Sequence, residues 1–168
     1  SIGVETDQTV HRQEWRTILN QIRHVYSGKI TYAANWDQVD HIPFWDALDL
    51  IGVQAYFPLS TTTHTDPDAL WRAWDTPLAK LVSLSHRYDR PVLITEIGYA
   101  RSMGAAVTPW VADISQEPAA IALRRQLMEI ALRRLENTKE IRGLFWWKWI
   151  PGPTRGHGDF SMKDSEAR

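Results

Sequence analysis

Short continuous apolar runs alternate along this chain with longer spans in which apolar residues recur every third or fourth position. The runs are Ile2–Val4, Ile30–Ala34, Leu50–Ala55, Pro91–Thr95 and Gly143–Ile150, and each predicts a strand. Between Gln13 and Tyr26, the residues Trp15, Ile18, Leu19, Ile22, Val25 and Tyr26 mark one face of an amphipathic helix. Ser27-Gly28 predicts its stop, with Gly28 free to turn left-handed. Pro43 opens a short helical turn that runs to Leu48. Two more helices are predicted over Asp68–Trp74 and from a cap at Thr76-Pro77 to His86, the latter with Leu78, Leu81, Val82 and Ser85 aligned. The last spans Pro118–Asn137, with Leu123, Leu127, Ile130, Ala131 and Leu135 on one stripe.

Strands alternating with helices predict parallel βαβ units and an α/β fold. The strands are apolar throughout rather than on alternate residues, as expected when both faces of a sheet are covered. A doubly wound sheet would show the same alternation. No Gly-rich phosphate turn follows any of the strands, so the nucleotide-binding version lacks its chemical signature.

Composition changes this picture little. The formal net charge is −1, which argues against nucleic acid or an anionic membrane as partner. Cysteine is absent, so disulfides, thiolate metal sites and a cysteine nucleophile are excluded. The six histidines show no metal-ligand spacing, and neither a metal nor a cofactor is expected; His64, in the loop after Leu50–Ala55, is the one of most interest. Arg124-Arg125 and Arg133-Arg134 read as a solvated helix face. Nine tryptophans are the outlier, and such a number suits a cleft that stacks aromatic faces on sugar rings.

Two carboxylates stand at one kind of place. Glu5 follows the first apolar run directly, and Glu96 follows Val92-Leu93-Ile94-Thr95. In a parallel barrel the C-terminal strand ends share one mouth, and catalytic residues come from those ends. A carboxylate at the tip of an apolar strand is costly to bury unless it is paired with a cation or used in chemistry.

The segments Gly3-Val4-Glu5-Thr6, Thr31-Tyr32-Ala33-Ala34-Asn35-Trp36, Phe44–Leu59 and Thr95-Glu96-Ile97-Gly98-Tyr99, with Trp146-Trp147-Lys148-Trp149, together resemble glycoside hydrolase family 113. That family contains β-1,4-mannanases and belongs to a clan of retaining (β/α)8 hydrolases. The resemblance implies a partial TIM barrel in which residues 1–168 are the C-terminal half of the catalytic domain. Strands 4–8 and their helices would be present and strands 1–3 missing, so the N-terminal half of the barrel is the expected partner. It further implies Glu5 as acid/base on strand 4, Glu96 as nucleophile on strand 7, and mannan or manno-oligosaccharide as substrate. A glucan-acting hydrolase of the same clan, or a carbohydrate-binding fragment without turnover, are the alternatives. The isolated 168 residues are expected to be inactive. Val4 departs from the clan, which commonly has Asn before its acid/base.

Around the two carboxylates, Asn35, Trp36, Tyr56, Trp147 and Trp149 are the expected substrate-binding residues. Tyr56 is placed to hydrogen-bond the nucleophile, and Trp147 and Trp149 share a strand face by period-two alternation. Trp146 is expected in the core, as are Trp15, Trp71 and Trp74 on helices. Trp110 fits equally a wall of the cleft or a loop anchor. An incomplete barrel predicts an open five-stranded sheet whose uncovered face exposes Val92, Ile94 and Phe145.

Overall fold

A computed structural model describes residues 1–148 and 160–161. Its elements are α1 (Glu14–Val25), β1 (Thr31–Asn35), β2 (Leu50–Gln54), α2 (Pro67–Ala73), α3 (Asp75–Tyr88), β3 (Val92–Ile97), α4 (Pro118–Glu136) and β4 (Ile141–Trp146). Short 3-10 turns at Val39–His41 and Trp45–Ala47 lie between β1 and β2. The strands form one parallel sheet in the order β1-β2-β3-β4. Parallel neighbours consecutive in sequence need a crossover across one face, and the intervening segments supply it.

Among the described residues the sheet has four strands, not five. Ile2–Glu5 runs beside β1 through Ile2 N–H to Thr31 O (2.8 Å), Ala33 N–H to Gly3 O (3.0 Å) and Glu5 N–H to Ala33 O (3.1 Å), but only the Val4–Ala33 bridge qualifies as sheet. The run ends at Glu5, whose φ of 48° leaves the extended region.

The helix-covered face carries Tyr32, Ala34, Ile51, Val53, Val92 and Ile94, all fully buried. The expectation that Val92 and Ile94 line the uncovered face is therefore corrected. Parallel register sets Ile51 beside Val92 and Val53 beside Ile94, so these residues share the helix side. The opposite face is lined by Thr31, Ala33, Gly52, Gln54, Leu93 and Thr95, which are mostly small or polar. Phe145, 63% exposed, is there as expected.

Helix α1 buries a narrower stripe than its sequence suggests. In α1 only Leu19 is buried, whereas Ile18, Val25 and Tyr26 are exposed. Gly28 is not left-handed; a β-carbon there would meet the Tyr26 ring, and α1 ends on an extended Tyr26. The cap expected at Thr76-Pro77 belongs earlier: Asp66 accepts from Ala69 N–H (2.9 Å) with Pro67 at the start of α2, and α3 begins at Asp75. In α4 the stripe Ala120, Leu123, Leu127, Ile130, Ala131 and Leu135 is buried, and Arg124 is buried with it. The solvated-face reading fails for Arg124, which donates to Ser161 O (2.6 Å). It also fails for Arg134, which pairs with Asp75 (2.6 Å) and covers Trp71.

Candidate active site

The C-terminal strand ends carry the candidate groups, and a bulge decides which side they face. Val53 pairs with Ile94, but Gln54 pairs with Glu96, so Thr95 is an extra residue in β3. Strict alternation from Ile94 would send Glu96 to the helix side. The extra residue reverses the parity and brings Glu96 out on the face of Gln54 and Asn35, while Ile97 returns to the core. Gly98 follows directly; a β-carbon there would lie 2.2 Å from Trp147 O, so glycine lets the end of β4 cross close to β3.

Glu96 is held from β2 and the residues just after it. Tyr56 Oη donates to Oε1, and Gln54 Nε2 donates to Oε2 at 3.2 Å. Burial and the bond to Glu96 push the Tyr56 hydroxyl well above the ordinary tyrosine range, with both glutamates adding to the shift. It therefore stays a donor at any working pH.

Glu5 sits differently. Among the described residues no donor bonds its carboxyl. Desolvation raises its pKa first, followed by the charges of Glu96 and Asp7. A raised carboxyl pKa is what a general acid needs near neutral pH. Asn35 Nδ2 donates to Asp7 Oδ2 (2.8 Å), which ties the loop after Glu5 to the end of β1. The left-handed backbone at Glu5 is an uncommon conformation for a non-glycine residue, and such conformations cluster at functional sites.

Glu5, Asn35, Trp36, Tyr56, Glu96 and Trp147 line one open cleft of about 510 Å³, together with Asp37, Trp110 and Phe160. Trp36 and Trp110 stack at 5.8 Å between ring centroids and 15° between planes, and Phe57 meets Trp36 edge-on. Trp110 is the wall, not a buried anchor, since 48% of it is exposed. Phe160 packs edge-on to Tyr56 on the other side. Trp149 lies outside the described residues. His64 is exposed and takes no part in the cleft. Among the described residues no group of three or more His, Asp or Glu side chains could hold a metal ion.

Two carboxyl groups on one cleft, one gripped by donors and the other pushed toward protonation, are what acid-assisted displacement at a glycosidic carbon uses. The sequence model of Glycoside Hydrolase Family 113 matches residues 1–155. The chain belongs to glycoside hydrolase family 113. Two solved family 113 structures agree in fold. One is a GH113 β-1,4-mannanase at 25% identity and TM-score 0.73, covering 88% of this chain and 44% of that one. The other is GH113 β-mannanase AaManA from Alicyclobacillus acidocaldarius in complex with ManMIm, at 25% identity and TM-score 0.69, covering 88% and 43%. The chain thus spans less than half the length of these family 113 proteins. No curated protein matches it by sequence.

Asp7, Asp37, Gln54 and Phe160 are cleft or near-cleft residues that sequence reasoning missed. A signal existed for Gln54: it is the long polar residue in an otherwise apolar strand, two positions before Tyr56 and on the same face. Phe160 had no such signal, because it reaches Tyr56 from far along the chain.

Proposed function

We propose that this chain carries the catalytic pair of a retaining glycoside hydrolase that cleaves β-1,4-linked mannan or manno-oligosaccharides. The observation that carries the reading is the unequal setting of Glu5 and Glu96 on one cleft. The family 113 structures that share this fold are β-mannanases, which supports mannan over glucan. In this reading β1 to β4 are strands 5 to 8 of a (β/α)8 barrel and Ile2–Glu5 is the end of strand 4, so both glutamates open on its C-terminal mouth.

The chemistry is a double displacement. A Glu96 oxygen bonds to the anomeric carbon as the bond from that carbon to the leaving oxygen breaks, and Glu5 gives its proton to that oxygen. A water then attacks the same carbon, Glu5 takes the water's proton, and Glu96 departs as carboxylate. Loss of the Glu96 charge on forming the ester removes one of the causes that hold the Glu5 pKa up, which favours its second role as base. Retention places the two carboxyl groups about 5–5.5 Å apart, against roughly 6.5–9.5 Å for inversion.

The test is the anomer released first from mannopentaose by the full-length protein, followed by proton NMR. The β-anomer is expected, and initial release of the α-anomer overturns the retaining mechanism. Cellopentaose in parallel decides the sugar: faster turnover of the glucan overturns the assignment to mannan.

A further inference from the structure

Gln54 does more than fill the end of β2. Its side chain is 4% exposed, and it faces Glu96 across the bulge. An ionised carboxylate only accepts hydrogen bonds, so the amide must present its NH2 group to Oε2, as it does at 3.2 Å. The amide oxygen is then left buried without a partner among the described residues. A buried carbonyl in that state is unfavourable, and the arrangement spends it on keeping the NH2 on Glu96. Tyr56, two residues on, takes the other carboxylate oxygen. β2 and the residues just after it therefore supply a donor to each oxygen of a carboxylate on β3.

We infer that Gln54 is a positioning residue for Glu96, fixing the carboxylate's rotation so that it is ready to attack an anomeric carbon. The bulge and the amide belong together in this: the bulge turns Glu96 out of the core, and Gln54 keeps it from turning further. Neutrality matters as much as hydrogen bonding. A carboxyl at the same point would match the amide in shape but, once ionised, would repel Glu96. The inference rests on Glu96 being the nucleophile.

The experiment is labelling of the full-length protein with 2-deoxy-2-fluoro-β-mannosyl fluoride. The Glu96 oxygen displaces fluoride from the anomeric carbon, and the ester accumulates on an identifiable peptide. Gln54→Leu is expected to slow labelling of Glu96 by about 10–100-fold, the loss of one hydrogen bond to a charged group. Gln54→Glu guards against a variant that fails to fold, because it preserves shape. It is expected to label at close to the parent rate in acid, where the introduced carboxyl is protonated and donates, and to fall away as that carboxyl ionises. A merely structural glutamine would not move the pH profile in this way. Labelling of Glu96 at the parent rate across pH in Gln54→Glu overturns the role of Gln54 while leaving Glu96 as nucleophile. Absence of label on Glu96 in the parent overturns the reading of Glu96 and the inference with it.

Discussion

Tyr56 lies two residues beyond the end of β2, and its hydroxyl donates to Oε1 of Glu96 in β3. The ring is 8% exposed and braced edge-on by Phe160, so little freedom remains in the direction of that bond. Removing the hydroxyl should disturb the carboxylate without disturbing the fold. Tyr56→Phe is expected to lower kcat on manno-oligosaccharides by about 10–100-fold with KM nearly unchanged, the pattern of an interaction worth most in the transition state. A loss confined to KM would place Tyr56 in substrate binding instead.

Glu5 should set the basic limb of the pH–activity profile, because a general acid must be protonated to act. Its pKa is raised by desolvation, by Glu96 and by Asp7, so the limb should lie above the ordinary glutamate range. Asp7→Asn removes the smallest of these causes and should move that limb to lower pH. Initial rates across pH check this, and an unmoved basic limb would detach Asp7 from the chemistry.

Stability should respond in the same sense. A folded-state pKa above the unfolded one means that the native state binds more protons, so stability falls as pH rises through the shifted value. Glu5→Gln is therefore expected to melt higher than the parent at neutral pH, with the difference closing below the ordinary glutamate pKa. Melting temperatures at several pH values decide it; a variant that melts lower at neutral pH would show that the ionised group is stabilised.

Trp36 is sandwiched between Trp110 and Phe57, whereas Trp110 keeps an open surface on the cleft. Trp110→Ala should raise KM for manno-oligosaccharides about tenfold with a smaller change in kcat, since a stacking platform holds ground and transition states alike. Unchanged KM would make Trp110 only a cover for Trp36.

At the opposite end of β1, Asp49 accepts from Ile30 N–H (2.7 Å) and Arg23 (2.5 Å), joining α1 to the sheet. Burial pushes its carboxyl up, but these bonds outweigh that and leave the pKa below the ordinary aspartate range. The stabilisation is complete above the unfolded pKa of about 4 and is lost as pH falls through the lowered value. Asp49→Ala should cost about 1–2 kcal/mol at pH 7 by urea unfolding, and much less in strong acid. An equal penalty at both pH values would rule out the charge as its source.

The alternation of apolar runs with amphipathic spans was enough to place the α/β fold, the parallel strands and the helices, because burial period is a local property of the chain. Glu5 and Glu96 stood out for the same reason, as charges at the ends of apolar runs. Alternation misled where the backbone breaks step. Val92 and Ile94, expected on the uncovered face, lie in the core, and the extra residue at Thr95 is what lets Glu96 face the cleft from the same strand. A bulge depends on pairing between two strands, and one strand's sequence does not specify it. Contacts between distant segments were hidden in the same way: Trp110 on Trp36, Phe160 on Tyr56, Asp7 on Asn35, and Arg124 buried beneath Ser161. The chain's local pattern determined which residues could bear charge or aromatic surface at a strand end. Only packing in three dimensions decided which donors met which carboxylate, because a hydrogen-bond partner is selected by proximity in space and not by separation along the chain.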